Sequence, residues 1–284
     1  MSDRLRVLVV VAHPDEAEEY VAGTLAQLTA RGHHVKVLSA TNGDAGHHSL
    51  RRKPLALRRA EEAYAALRIL DLADYEIWDV HDGDLMDSLE NRHRMVTAIR
   101  RWRADMIITF TDEGPGHSDN RTAALLVRRA TDLLTLRNQC PKVPALDEVP
   151  IVLRMIDDGS TDRHRHQVAV DIGSTLTAKL RACAAHRTQF LEFAATGNGW
   201  ADDVPDVDDH EAVDAFILQH WNEFFVTPAA AGPALERAYG PEAEEIEYCE
   251  TFDLAPYGRP TTAEEIDRLL VGSRAAGTEA IDRC

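Results

Sequence analysis

Positive charge is in short supply in this chain. Lys and Arg number 31 against 48 Asp and Glu, leaving a net charge of −17 at pH 7 over 284 residues. Phosphate backbones are bound by excess Lys and Arg, so nucleic acid is excluded as a partner, and an acidic membrane surface with it. Cysteine is scarce as well: Cys140, Cys183, Cys249 and Cys284 stand far apart, with no CxxC pair. That spacing supports neither a zinc knuckle nor a disulfide scaffold and suits reduced thiols, so a cytoplasmic location is expected. No apolar run reaches the length of a membrane span, and the N-terminal one is too short for a signal peptide. Cys284 is the last residue rather than the fourth from the end, so no prenylation box is expected. No GxGxxG follows the first strand-like run, which disfavours a dinucleotide. What remains is a small-molecule partner, with a homo-oligomer left open.

What is present is enough apolar sequence, 44%, for one large domain or a domain with a modest extension. Val7 to Val11 is a β-branched run halted at Pro14, the pattern of a fully buried parallel strand. Ala17, Val21, Leu25 and Leu28 follow at helical spacing. Between them stand His13, Asp15 and Glu16, at the turn from a strand's carboxyl end into a helix, where open α/β sheets bind ligands. One imidazole and two carboxylates there can hold a divalent metal and keep one carboxylate as a base. The competing reading is ordinary capping, since acidic residues are favoured in any helix's first turn.

Further strands are predicted at Val35 to Ala40, Tyr75 to Val80, Met106 to Phe110, Ile151 to Met155 and Val168 to Ile172. Helical periodicity lies between the first four: Leu57, Ala60, Tyr64, Leu67 and Leu70 on one face with Arg58, Arg59, Glu61 and Glu62 off it, then Leu89, Val96, Ile99 and Trp102. Ala123 to Leu134 follows the fourth strand. This alternation predicts a Rossmann-like parallel sheet with helices on both faces. A helix running from Leu176 to Phe190 comes next. The composition shifts past Gly199, so residues 1–199 read as the catalytic domain and 200–284 as a helical extension packed on it. In that extension Val213, Phe216, Ile217, Trp221 and Phe224 form a docking stripe, and Thr262 with Glu265 has capping-box spacing.

The strand Met106 to Phe110 ends near His117, Asp119 and Asn120. If it neighbours the first strand, these residues face His13, Asp15 and Glu16 across one crevice, which raises the case for a functional site. At this point the chain resembles the LmbE-like, or PIG-L, family of zinc-dependent N-deacetylases. Ala12-His13-Pro14-Asp15-Glu16-Ala17-Glu18 is similar to the family's AHPDDAE, and His117-Ser118-Asp119-Asn120-Arg121 to its HPDHR. TNGDAGHH at Thr41 to His48, the Arg58-Arg59 helix, HDGDL at His81 to Leu85, LENR at Leu89 to Arg92 and the segment Lys179 to Phe190 with His186 extend the likeness over roughly residues 5–195.

The resemblance implies metal-dependent hydrolysis of an amide C–N bond, most directly N-deacetylation of an amino sugar or related metabolite. By position it makes His13, Glu16 and Asn120 the metal ligands, Asp15 the general base and His117 the auxiliary catalytic residue. Asn42, Arg58, Asp119 and His186 become substrate contacts. Two ligand positions depart from the family: Glu16 replaces an Asp and Asn120 a His. A neutral amide oxygen suits harder cations better than zinc, so the implied cofactor is zinc or another divalent cation. The alternative is a family member that has lost zinc deacetylation and serves as a binding protein or a metal-independent acid–base enzyme. If Asn120 is not a ligand, His117 or His47 is next in line.

Overall fold

The structure, a computed structural model, describes residues 4–157 and 163–272; Cys284 lies outside them. Its frame is a seven-stranded sheet of β1 (Arg6–Val11), β2 (His34–Ser39), β3 (Asp74–Ile77), β4 (Met106–Thr109), β5 (Ile151–Met155), β6 (Val168–Asp171) and β7 (Cys249–Leu254). Their spatial order is β3-β2-β1-β4-β5-β7-β6. The first five are parallel, whereas β7 runs antiparallel to both β5 and β6. The C-terminal part is thus not helical throughout, because Cys249–Leu254 closes the gap between β5 and β6. Its charged residues, Glu250 and Asp253, are three positions apart and break the two-residue alternation of a half-buried strand, so CETFDL carries no clear strand signal.

Five helices wind around the parallel strands: α1 (Glu16–Ala30), α2 (Lys53–Ile69), α3 (Leu89–Trp102), α4 (Ser118–Thr131) and α5 (Leu176–Ala185). Side chains of β1 alternate between the two layers this creates. Val7, Val9 and Val11 pack with α1 and α5, while Leu8, Val10 and Ala12 pack with α3 and α4. β1 is buried on both faces for that reason, as its unbroken apolar run predicts. α5 stops at His186 instead of continuing, and a π-helical turn, Thr188–Phe193, follows before the short α6 (Ala194–Asn198).

The extension adds α7 (His210–Trp221), α8 (Gly232–Tyr239) and α9 (Ala263–Leu270). Val213, Phe216, Ile217 and Trp221 are buried in the core shared with α5, so the aromatic stripe is packing surface. Thr262 caps α9, its hydroxyl accepting from the Glu265 amide at 3.2 Å. One predicted face is rotated. Leu57 and Tyr64 of α2 are exposed, and Leu55, Arg59, Glu62, Ala63 and Ala66 point inward. The reason is polar: Glu62 accepts from the Thr188 amide and hydroxyl at 3.0 and 2.5 Å, and this docks α2 against the π-turn. No helix among the described residues is long and apolar enough to cross a membrane.

Candidate metal centre and catalytic crevice

β1 and β4 are neighbours whose following helices lie on opposite faces of the sheet, which opens a crevice at their carboxyl ends. His13 enters it from the end of β1 and His117 from the start of α4, with ring centroids 4.7 Å apart. Gly116 permits the close turn before His117, because a Cβ there would overlap the Asp157 carboxylate. The resulting cavity of about 530 Å³ is lined by His13, Asp15, Glu16, Arg59, Asp82 and His117, among others.

The donor atoms of His13, His117 and Asp119 lie within 4.8 Å of one another. Asp119 is buried, accepts from the Gly83 amide at 2.7 Å and stands 3.8 Å from His13 Nε2. Asp82 Oδ1 is closer still to that nitrogen, at 3.1 Å. On the other side of the ring, Nδ1 lies 3.0 Å from Glu16 Oε1. Burial opposes a charge on His13, yet Glu16, Asp119 and Asp82 together hold its pKa well above the ordinary value. Burial alone would raise Asp82, but its hydrogen bond to His13 and the charge there bring it down to about 2. Two imidazoles and a carboxylate are a donor set that divalent zinc accepts, and the carboxylates around it favour a cation.

The residues expected as the other two ligands are placed differently. Glu16 spends Oε2 on the amides of Ala12 and His13, at 2.9 and 2.8 Å, and Oε1 on His13 itself. Asn120 donates from Nδ2 to Asp157 at 3.1 Å, leaving its buried Oδ1 with no hydrogen-bond partner among the described residues. His47 is engaged at both nitrogens, with Glu192 on one and the Ser49 and Leu50 amides on the other.

Asp15 is buried at the crevice floor with φ 145°, a conformation that costs an L-residue of order 1–3 kcal/mol. Its Oδ1 has no hydrogen bond and faces Arg59 Nη1 at 3.8 Å. Burial lifts its pKa to about 6, against the pull of Arg59 and His186. Arg59 is held by the Gly46 carbonyl at 3.0 Å and by Gln189 Oε1 at 2.6 Å.

Among the expected substrate contacts only Asp119 sits with the His13 and His117 donor atoms. Arg58 pairs with Glu62 and Glu192 and lines a separate cavity of about 680 Å³ between α2, α5 and α7. Asn42 is bonded to Asp79. His186 is buried beneath Asp15, its Nε2 3.3 Å from Glu18 Oε2. Arg59, Asp82, Gln189 and Asp157 reach the crevice without having been singled out in the sequence. Asp82 had a signal, the HDGDL segment at a strand's end. Arg59 was one helix position from the residue chosen.

The model of the PIG-L family, GlcNAc-PI de-N-acetylase, matches residues 8–131. The diacetylchitobiose deacetylase of Thermococcus kodakarensis is 31% identical over 197 residues, 67% of this chain and 72% of that one. The chain belongs to the PIG-L, or LmbE-like, family. A second PIG-L relative, the 1D-myo-inositol 2-acetamido-2-deoxy-alpha-D-glucopyranoside deacetylase of Streptomyces griseus, is 24% identical over 247 residues, covering 65% of this chain and 74% of its own. The solved N,N'-diacetylchitobiose deacetylase of Pyrococcus horikoshii shares the fold, with a TM-score of 0.67 at 22% identity over 89% of this chain and 85% of that one. The PIG-L match ends with α4, so it takes in both motifs that build the crevice and leaves out β5, β6 and β7.

Proposed function

We propose that the chain is a metal-dependent hydrolase that removes an acyl group from the nitrogen of an amino sugar or a related metabolite. The observation that carries this is one crevice holding both a His13–His117–Asp119 donor group and, beside it, a buried carboxylate with a pKa of about 6. The named activities of the Thermococcus and Streptomyces relatives support the substrate class. His13, His117 and Asp119 would hold the metal, which when bound polarises an amide carbonyl and lowers the pKa of water.

The remaining steps belong to the chain. Asp15 receives the proton of the attacking water at Oδ1 and returns it to the departing amine, work for which a carboxyl group titrating near neutrality is suited. Arg59 keeps that carboxylate oriented from the opposite side. Glu16 fixes the His13 ring by accepting from Nδ1, so that Nε2 faces the crevice. Tyr20, Phe193 and Phe224 supply the apolar wall that limits water.

The test is release of acetate and free amine from N-acetylglucosamine and N,N'-diacetylchitobiose by protein loaded with zinc. Turnover that a chelator abolishes and zinc restores is the expected result. Metal-loaded protein that leaves a panel of N-acyl amino sugars intact would overturn the reading.

A further inference from the structure

Beside the crevice, where β5 meets β7, lies a second cavity of about 190 Å³ lined by Thr111, Glu113, Arg154, Arg163, His164 and Arg165, with Asp253 at its base. Three guanidinium groups converge there in a chain of net charge −17. The Asp253 counter-charge is shared with the backbone. Asp253 accepts from the Arg165 backbone amide at 3.0 and 3.1 Å and stands 3.7 Å from Arg154 Nη2. Arg154 Nε is buried with no acceptor among the described residues. No carboxylate among the described residues pairs with the side chain of Arg163 or Arg165. Burial lowers the pKa of His164 to about 4, so it adds no charge near neutrality. Among the described residues lining the cavity, three cations thus stand against Asp253 and Glu113.

The position connects this cluster to the reaction. Thr111 and Glu113 belong to the loop that ends in His117, and Met155 lies two residues before Asp157, which borders the crevice. From β1 to β5 is two strand spacings, about 10 Å, a distance that one substituted sugar covers. Planar guanidinium forks match carboxylate and phosphate oxygens.

We propose that Arg154, Arg163 and Arg165 form an anion subsite that receives a carboxylate or phosphate group of the substrate. The word substrate here rests on the deacetylase reading above; the anion site itself does not.

Two measurements separate the claims. Inorganic phosphate is titrated calorimetrically into native protein and into Arg163→Ala/Arg165→Ala, with Arg154→Gln as a second variant. Binding at least tenfold weaker in the variants is expected, and absent or unaltered binding overturns the subsite. Next, kcat/KM is compared for N-acetylglucosamine, its 6-phosphate and N-acetylmuramic acid. The expected result is a preference of about tenfold or more for an anionic substrate, reduced in the double variant; the two anionic arms tell phosphate from carboxylate. Equal rates on neutral and anionic substrates would leave the deacetylase reading standing and overturn the subsite. Arginine-dependent phosphate binding without turnover of any of the three would do the reverse.

Discussion

Glu16 and His13 are joined twice: Oε1 of the carboxylate is 3.0 Å from Nδ1 of the imidazole, and Oε2 accepts the His13 backbone amide at 2.8 Å. A carboxylate bound in this way fixes the ring and its tautomer and raises its basicity as a ligand. The extra methylene of Glu, compared with the family's Asp, lets the carboxylate reach back to the chain before α1. On the proposed reading Glu16 is a positioning group, and His117 and Asp119 take the two donor places that the family motif gives to positions 16 and 120.

Metal titrations across three variants follow from that placement. Glu16→Gln should weaken zinc about 10–100-fold, the usual cost of losing an outer partner. His117→Ala should lose at least as much, since a donor itself is removed. Asn120→Ala should change little, because its amide serves Asp157. If Asn120→Ala proves the most damaging of the three, the ligands are the residues that align with the family motif.

Asp15→Asn should lower turnover about 10²–10⁴-fold, the range for a lost general acid–base group, while melting at or above the native temperature. Asn tolerates a positive φ as Asp does, and the change removes a buried carboxylate whose Oδ1 has no hydrogen bond. A variant with normal turnover on the natural substrate would remove Asp15 from the reaction; its side chain makes no capping hydrogen bond to α1 either.

The sheet and the crevice were legible because unbroken apolar runs, each ending in polar residues, mark buried strands and their carboxyl ends. The inward face of α2 was not. Apolar periodicity selected Leu57 and Tyr64, whereas Arg59 and Glu62 are drawn inward by hydrogen bonds to residues 130 and 126 positions away. A one-position error on a helix turns a side chain by about 100°, and that is the difference between Arg58 and Arg59. The antiparallel β7 was hidden for another reason. Its two charged residues, Glu250 and Asp253, are both buried at 2% exposure, so a strand that is interior reads in the sequence as surface.

Acid should loosen the β5–β7 junction before the rest. His164 is pressed between Asp253, Thr251, His166 and Arg154, and burial holds its pKa near 4. Its folded value lies below the unfolded value of about 6.5. The unfolded chain therefore takes up the proton first as pH falls. The stabilisation is complete above about pH 6.5 and is lost towards pH 4, amounting to up to about 3 kcal/mol. Denaturant titrations at pH 7, 5.5 and 4.5 should show the decline, and His164→Asn should flatten it. An equal slope in the variant would assign the acid sensitivity to other groups.

Lys179 and Glu250 form an ion pair at 2.8 Å in which neither side chain is exposed. Lys179 also donates to the carbonyls of Glu18 and Glu19 at 3.3 and 2.6 Å, and Glu250 accepts the amides of Gly23 and Thr24 at 2.9 and 2.7 Å. The pair therefore locks α5 and β7 onto the middle of α1, the helix whose first turn carries Glu16. Two buried charges that satisfy each other add little net stability, but removing one leaves the other stranded. Lys179→Met should therefore cost about 3–5 kcal/mol, read as a lower denaturation midpoint. Adding Glu250→Gln should recover part of that loss, because the stranded charge is gone and the single amide oxygen still accepts one of the two backbone amides, Gly23 or Thr24, that the carboxylate oxygens accept separately. If the double variant is no more stable than Lys179→Met alone, the loss lies in the carbonyl contacts of Glu18 and Glu19 and not in the uncompensated carboxylate.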